Sequence, residues 1–289
     1  MRNEDERNEA GEAISFVKCF TNGLRWFSGM LFFTPIRLYP SHRTYYMNIL
    51  SLCLVLVTLM TSLEVASAGD VTGKVTLKGT PPTEMPIDFG DVCGPLTHAV
   101  KTTRWYVTGK DNGLSDVFVY ISKGLEGKKF PAPSAAAEIN QEGCMYYPYV
   151  TGAMVGQVLK FKNSDPFMHN VHGLPRADGN QEFNIAEPFQ GQVNDSSFTG
   201  NITKTEVLVK VKCDVHPWMF CYVGVVDNPF FAVTDKDGTF KISNLPPGTY
   251  TLTAYHLKAH GSTPGVSQSI TVAAGPVTAD FTVEVPAPK

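Results

Sequence analysis

The sequence predicts an all-β protein built from β-sandwiches, and three features of the chain point that way. Short runs in which apolar and polar residues alternate recur after residue 69, which is the pattern of half-buried strands. Gly and Pro, with 25 and 20 residues, are abundant without forming a repeat, and they suit tight turns between strands. No stretch after residue 68 has a sustained helical period.

Length and composition are those of a folded chain. The 289 residues, of which 43% are hydrophobic and 18% charged, are enough for one large or two ordinary domains. The formal net charge is -3, and no long run of one sign occurs. We therefore expect neither nucleic acid nor an anionic membrane surface as a partner.

Residues 47–68 have the pattern of a signal peptide. An apolar stretch begins after Met47 and ends in small residues at Ala66 and Ala68, which is the Ala-x-Ala cleavage pattern. The apolar run is about 15 residues long, whereas a membrane-spanning helix needs about 20. Cleavage is therefore favoured over a permanent anchor. The mature chain would begin near Gly69, have no membrane span, and be periplasmic or extracellular.

Residues 1–46 form an uncertain leader, polar and acidic at first and then aromatic. A true start at Met30 or Met47 would explain it. The alternative is an uncleaved extension that inserts into the membrane. Both explanations remain open.

Strand-like runs follow one another along the mature chain, and most of them end at a turn that contains Gly, Pro or Asn. We predict strands within residues 69–79, 102–109, 116–124, 155–166, 204–213, 219–228, 238–245, 248–257, 268–275 and 278–285. A boundary is expected near Pro229, because the next unit opens with an Asp-Gly hairpin signal at Asp237 and a Pro-Pro-Gly turn. This separates residues 229–289 from the preceding part of the mature chain.

Four cysteines remain after the signal, and an oxidising compartment favours disulfides. Four cysteines allow three pairings. Cys213 lies three residues before His216, a spacing that suits a metal ligand, so we expect Cys93 to pair with Cys144. Cys221 is then left over as a small buried thiol, although a pair with Cys213 would be the alternative.

The segment KCDVHPWM carries three metal donors in seven residues, namely Cys213, His216 and Met219. Thiolate, imidazole and thioether together favour copper, because thioether is a poor zinc ligand and hard cations reject sulfur. A further imidazole is needed, and the segment NSDPFMHNVHG offers His169 and His172. These two residues are three apart, so on a strand they face opposite ways and only one is expected to reach the ion.

These residues resemble a cupredoxin, the small blue copper fold, over residues 135–228. In that family a His-Asn-Val segment supplies the first histidine, and Cys, His and Met share the loop between the last two strands. The short CDVHPWM spacing looks most like amicyanin. The resemblance implies one type 1 copper ion held by His169, Cys213, His216 and Met219 in a Greek-key sandwich. It also implies that Asn170 ties the two ligand loops together by hydrogen bonds.

Electron transfer is the function that such a site implies. All four ligand positions are filled by the protein, so no vacancy is left for a substrate, and we expect no enzymatic activity. The edge of His216 would be the port for electrons, with Pro217, Trp218 and Phe167 as an apolar docking patch. The resemblance suggests a redox protein such as a cytochrome c as partner.

The chain departs from the family pattern in three places near the ligands, one of which is Cys221, two residues beyond Met219, where a further thiol could compete for the metal. Asp214 follows Cys213 where a small residue is more usual, and its negative charge would lower the reduction potential. Val211 replaces an aromatic residue. None of the three removes a metal donor.

The stretch AVTDKDGTFKISNLPPGTYTLTAYH resembles the carboxypeptidase regulatory-like domains, small sandwiches also grouped with carbohydrate-binding-like folds. Their usual first strand resembles residues 71–79, so the copper domain would be inserted into a discontinuous sandwich formed by residues 69–134 and 229–289. This leaves a second hypothesis for function. The chain would be an exported binding or structural module, for a glycan or a protein, with a vestigial or copper-storage site.

Overall fold

The structure is a computed structural model that describes residues 68–96, 102–260, 265–273 and 275–287. The predicted leader, residues 1–46, and the predicted signal peptide up to residue 67 lie outside the described residues. Within the described residues, no helix is both long enough and apolar enough to cross a membrane.

Strands are the main secondary structure of the described residues, and the helices among them are single turns. The strands are β1 (Gly69–Lys78), β2 (Phe118–Lys123), β3 (Ala137–Glu142), β4 (Met145–Tyr147), β5 (Val150–Met154), β6 (Leu159–Asn163), β7 (His169–Leu174), β8 (Phe183–Glu187), β9 (Val193–Asn194), β10 (Glu206–Lys212), β11 (Phe220–Val226), β12 (Phe231–Val233), β13 (Thr239–Leu245), β14 (Gly248–Tyr255), β15 (Val266–Val272), β16 (Val277–Thr278) and β17 (Phe281–Glu284). The helical turns are α1 (Gly90–Cys93), α2 (Ser197–Asn201) and α3 (Leu257–His260), with 3-10 turns at Gly94–Leu96 and Lys110–Asn112. The prediction of an all-β fold is confirmed.

One sandwich is built from both ends of the described chain. β1 pairs antiparallel with β13 and parallel with β16 and β17. The facing sheet has the order β12-β2-β14-β15. Side chains such as Val75, Leu114, Ile121 and Leu252 are buried in the core between them. Strands from the beginning and the end of the described residues therefore share one hydrophobic core.

The second sandwich consists of strands β3 to β11. One sheet has the order β5-β11-β10-β7-β8, and the other has the order β4-β3-β6-β9. Residues such as Ile139, Phe161, Val209 and Val223 fill the space between them. β7 pairs antiparallel with β10, opposite Lys212, so the start of β7 lies beside the loop that follows β10. That pairing brings together the two segments that carry the predicted metal ligands.

The two sandwiches pack against each other through an aromatic layer. Phe118, Tyr149, Tyr222 and Tyr255 belong to one buried cluster at this contact. Gly224 on β11 allows the close approach, because a Cβ atom there would lie 2.6 Å from the Phe118 ring. The contact between the two sandwiches therefore requires glycine at residue 224.

The predicted strand at residues 102–109 is wrong. The segment makes only single bridges, between Thr102 and Pro86 and between Thr108 and Leu114. The carboxylate of Glu84 accepts hydrogen bonds from the backbone N–H groups of Trp105 and Tyr106, at 3.0 and 2.6 Å. A side chain thus takes the N–H groups that a strand would offer to a neighbour.

Candidate metal centre

The loop between β10 and β11 is closed by its own backbone. The N–H of Cys213 donates to the carbonyl of Met219, and the N–H of Met219 donates to the carbonyl of His216, both at 2.9 Å. These bonds fold seven residues into a tight turn whose ends remain paired as strands. Three potential metal donors therefore come from a short, ordered loop.

Two imidazoles and a thiol converge at one point. Nδ1 of His169 lies 3.0 Å from Nδ1 of His216, and Sγ of Cys213 lies 3.9 and 3.6 Å from these two nitrogens. The exposed fractions of His169, Cys213 and His216 are 0%, 1% and 7%. Metal–nitrogen and metal–sulfur bonds of about 2.0 and about 2.3 Å would let one ion reach all three atoms. The spacing fits a single soft or borderline metal ion.

Met219 is fully buried and lies in the same hydrophobic cluster as Cys213. The end of the loop therefore contributes a thioether side chain to the core that also contains Cys213. The donor types present are two imidazoles, one thiol and one thioether, which is the set that suits copper.

His169 is oriented by a buried carboxylate. Its Nε2 lies 2.8 Å from Oδ2 of Asp165, which is 3% exposed. In the neutral ring, a proton on Nε2 satisfies that contact and leaves the Nδ1 lone pair directed at Cys213 and His216. Burial by itself lowers the pKa of His169, but the hydrogen bonds with Asp165 and Cys213 outweigh it and raise the pKa to about 9, so a metal ion would have to displace a proton from Nδ1.

The pKa values of Cys213 and His216 are shifted as well. Burial raises the pKa of Cys213, but the hydrogen bond with His169 and those from nearby backbone N–H groups lower it below its ordinary value. Burial and the neighbouring His169 lower the pKa of His216. Both shifts favour the forms that bind a metal, namely thiolate and neutral imidazole.

Asn170 links the two segments that carry the ligands. Its Oδ1 accepts a hydrogen bond from the backbone N–H of Asp214 at 2.6 Å, and its Nδ2 donates to Asn184 and to the Asp214 carboxylate. Asp214 also pairs with Lys212 at 2.7 Å. The network joins the residue after His169 to the residue after Cys213.

His172 lies apart from the cluster. Its Nδ1 faces the carboxylate of Asp214 at 2.8 Å, and its Nε2 faces Glu182 at 2.7 Å. Both ring nitrogens are therefore occupied by carboxylates. The structure brings His169, and not His172, to Cys213 and His216.

Cys93 and Cys144 form a disulfide, as predicted. Cys213 and Cys221 are both free, so the alternative pairing between them is excluded. Cys221 is fully buried within the core cluster, and burial raises the pKa of its thiol. It is therefore poorly suited to bind metal as a thiolate.

The residues of the predicted docking patch are only partly exposed to solvent. Pro217 is exposed, whereas Trp218 and Phe167 are half-buried. The Trp218 ring packs edge-on against Phe89 with centroids 5.4 Å apart, and its Nε1 donates to the carbonyl of Cys144. Sequence reasoning missed Phe89 and Asp165 as neighbours of the site. Asp165 stands four residues before His169, which is the one local signal that pointed to it.

Comparisons with known proteins give one family match and several distant structural similarities. The family model of the carboxypeptidase regulatory-like domain matches residues 224–284. No curated protein matches the chain. Among solved structures, the chain is similar to a purple cupredoxin from Nitrosopumilus maritimus, with 23% identity over 31% of this chain and 98% of that one, at a TM-score of 0.25.

Two further solved structures are similar at the same level. One is a copper-containing nitrite reductase from Thermus scotoductus SA-01, with 22% identity over 35% of this chain and 24% of that one, at a TM-score of 0.28. This chain therefore spans about a quarter of that protein's length. The other is a point mutant of amicyanin in its Cu(I) form, with 19% identity over 32% of this chain and 85% of that one, at a TM-score of 0.27.

Proposed function

We propose that this chain is an exported mononuclear type 1 copper protein that transfers electrons. One observation carries the proposal: Nδ1 of His169, Nδ1 of His216 and Sγ of Cys213 lie within 3.9 Å of one another at a buried point. The thioether of Met219 lies in the adjoining core. Two imidazoles, a thiolate and a weak axial thioether are the donors of a blue copper site.

Copper bound there would supply a one-electron couple between Cu(I) and Cu(II). The protein's own residues hold the donors still. Asp165 fixes the ring of His169, Asn170 ties its strand to the residue after Cys213, and burial keeps bulk water away. Donors that are held in place before metal binds need little rearrangement when the charge of the ion changes. This favours electron transfer over catalysis, since no ligand position is left for a substrate.

Export is part of the proposal, and two features support it. Residues 47–68 have the signal-peptide pattern, and a Cys93–Cys144 disulfide persists in oxidising compartments. We propose a periplasmic or extracellular redox protein, such as a cytochrome c, as the partner. The exposed Pro217 marks the tip of the ligand loop that such a partner would approach.

Electrochemistry tests electron transfer apart from metal binding. The full chain loaded with Cu(II) should give a reversible one-electron wave in cyclic voltammetry, and Cys213→Ala should abolish it. The second hypothesis, a binding or structural module with a storage or vestigial site, is favoured by the regulatory-like match at residues 224–284. That hypothesis predicts a folded protein without a reversible wave and, for a glycan-binding module, retention on a glycan array.

A further inference from the structure

His216 is nearly buried although it belongs to a surface loop. Its exposed fraction is 7%. Its ring packs against Trp218 and Phe167 with centroids 5.6 and 6.0 Å apart. The sulfur atoms of Cys93 and Cys144 both lie within 4.8 Å of a ring nitrogen of His216. One of these shielding groups, Cys93, comes from the long connection between β1 and β2, far from residues 135–228.

We propose that residues 87–96, clamped by the Cys93–Cys144 disulfide, are a cover of the metal centre that holds Phe89 against Trp218 and keeps water and small hydrophilic ligands from His216. The cover is the part of the site that residues 135–228 do not supply. The statement that the cover protects a copper site rests on the proposed function. The shielding of His216 is also a property of the metal-free protein and can be tested by itself.

A small hydrophobic core holds the cover in place. Phe89, Cys93, Cys144 and Met145 form one buried cluster, and Trp218 packs against it. Phe89 is 8% exposed and contacts Trp218 edge-on, an arrangement that aromatic pairs favour. The cover is therefore packed against the ligand loop and is not only tethered to it.

The clamp is anchored on the same carboxylate that orients His169. Asp165 accepts hydrogen bonds from the N–H groups of Gly143 and Cys144, at 2.8 and 2.9 Å, while its Oδ2 faces Nε2 of His169. The carbonyl of Cys144 in turn accepts the hydrogen bond from Trp218. The disulfide thus sits in a chain of contacts that runs from one imidazole ligand to the loop of the other.

The approach that remains beside His216 is apolar. It is an open cavity of about 410 Å³ lined mostly by hydrophobic side chains, with Asp91 as its one carboxylate. Val92, Met168 and Val215 at its rim are 63%, 47% and 46% exposed. A hydrated anion would lose water on entering this cavity and meet a negative charge. The geometry admits apolar groups to the edge of the cover and disfavours small polar ligands.

Carbethoxylation of histidines with diethyl pyrocarbonate, read by peptide mass spectrometry on the metal-free full-length protein, tests the cover. Phe89→Ala opens it with the clamp intact, and Cys93→Ala with Cys144→Ala removes the clamp. The modification rate of His216 should rise about tenfold in both variants, because local opening becomes easier. Phe189→Ala, a change of the same type at a side chain that is 73% exposed and does not line the cavity, should leave the rate unchanged.

His172, whose side chain is 14% exposed, serves as the reference inside each sample. Its rate should stay constant, and a general rise at all histidines would mean that the double variant unfolds, in which case Phe89→Ala decides. A His216 rate equal to that of the wild type in Phe89→Ala overturns the cover. A wild type that binds no copper but protects His216 would refute the proposed function and leave the cover standing.

Discussion

The carboxylate of Asp165 lies 2.8 Å from Nε2 of His169 and also accepts the backbone N–H of Cys144 at 2.9 Å. One buried side chain therefore orients a proposed copper ligand and fixes the backbone of a disulfide cysteine. Cys144 has a φ of 55°, in the left-handed region that non-glycine residues occupy only where contacts hold them. The proposed metal centre and the proposed cover meet at this carboxylate.

Replacement of this carboxylate should weaken copper binding. In Asp165→Asn the amide oxygen can face His169 and the N–H of Cys144 only if the NH₂ group turns toward the N–H of Gly143, which leaves a donor facing a donor. We expect copper affinity to fall by about 10-fold to 100-fold, the usual effect of losing a group that orients a metal ligand. Competition with a copper chelator measures it. Asp178→Asn, at an exposed carboxylate, is the control, and equal affinities in both variants would contradict the role of Asp165.

Met219→Leu should change the redox properties more than the stability. The two side chains have similar volume, so the buried site tolerates the change at a cost below about 1.5 kcal/mol. The thioether is a donor that stabilises Cu(II), whereas the methyl group of leucine donates nothing to the ion. The reduction potential should therefore rise. Cyclic voltammetry measures the potential. Met154→Leu, at a buried methionine of β5, should leave it unchanged. An unshifted potential in Met219→Leu would show that the sulfur does not touch the ion.

Gly224→Ala should loosen the contact between the two sandwiches. A Cβ atom at residue 224 would lie 2.6 Å from the Phe118 ring, so either the ring or β11 must move. Overpacking of this kind costs about 1 to 3 kcal/mol. The free energy of unfolding in urea measures the cost. Gly200→Ala meets nothing within 4 Å and should not destabilise the protein. Equal free energies of unfolding for the wild type and Gly224→Ala would mean that the Phe118 ring or β11 moves at no cost.

His256 should make the protein less stable in acid. Burial, assisted by His260 and Lys258, lowers the pKa of His256 from 6.5 to about 4. The unfolded chain therefore binds this proton at a higher pH than the folded chain does, so stability falls as the pH drops from about 6.5 toward 4 and is unaffected above that window. In His256→Gln the loss of unfolding free energy between pH 7 and pH 4.5 should be smaller by about 2 kcal/mol. The same pH dependence in both proteins would show that His256 titrates normally.

Much of the fold was predictable because the alternation of apolar and polar residues is a local signal. It located β1, β2, β6, β10, β11, β13, β14, β15 and β17, and it missed the other strands. The run at residues 102–109 has the same alternation but forms no strand, because Glu84 takes its N–H groups. That contact joins residues about twenty positions apart, and no local pattern encodes it.

The residues of the candidate site were likewise predictable only where a local sequence pattern indicated them. Cys213, His216 and Met219 share one loop, so their spacing alone indicated a metal site. The choice of His169 needed the resemblance to a family, since His172 stands three residues away with the same chemistry. Phe89 could not be predicted as part of the site, because only the tertiary packing of residues 87–96 brings it to Trp218.

The visible spectrum of the copper-loaded protein tests the central claim most directly. The wild type should show an intense thiolate-to-copper band at about 600 nm, the region expected for a blue site. Cys213→Ala should abolish the band, and Cys221→Ala, a matched change at the other free buried thiol, should retain it. A folded, reduced wild type without the band, or a band that survives in Cys213→Ala, would contradict the assignment of a type 1 copper site.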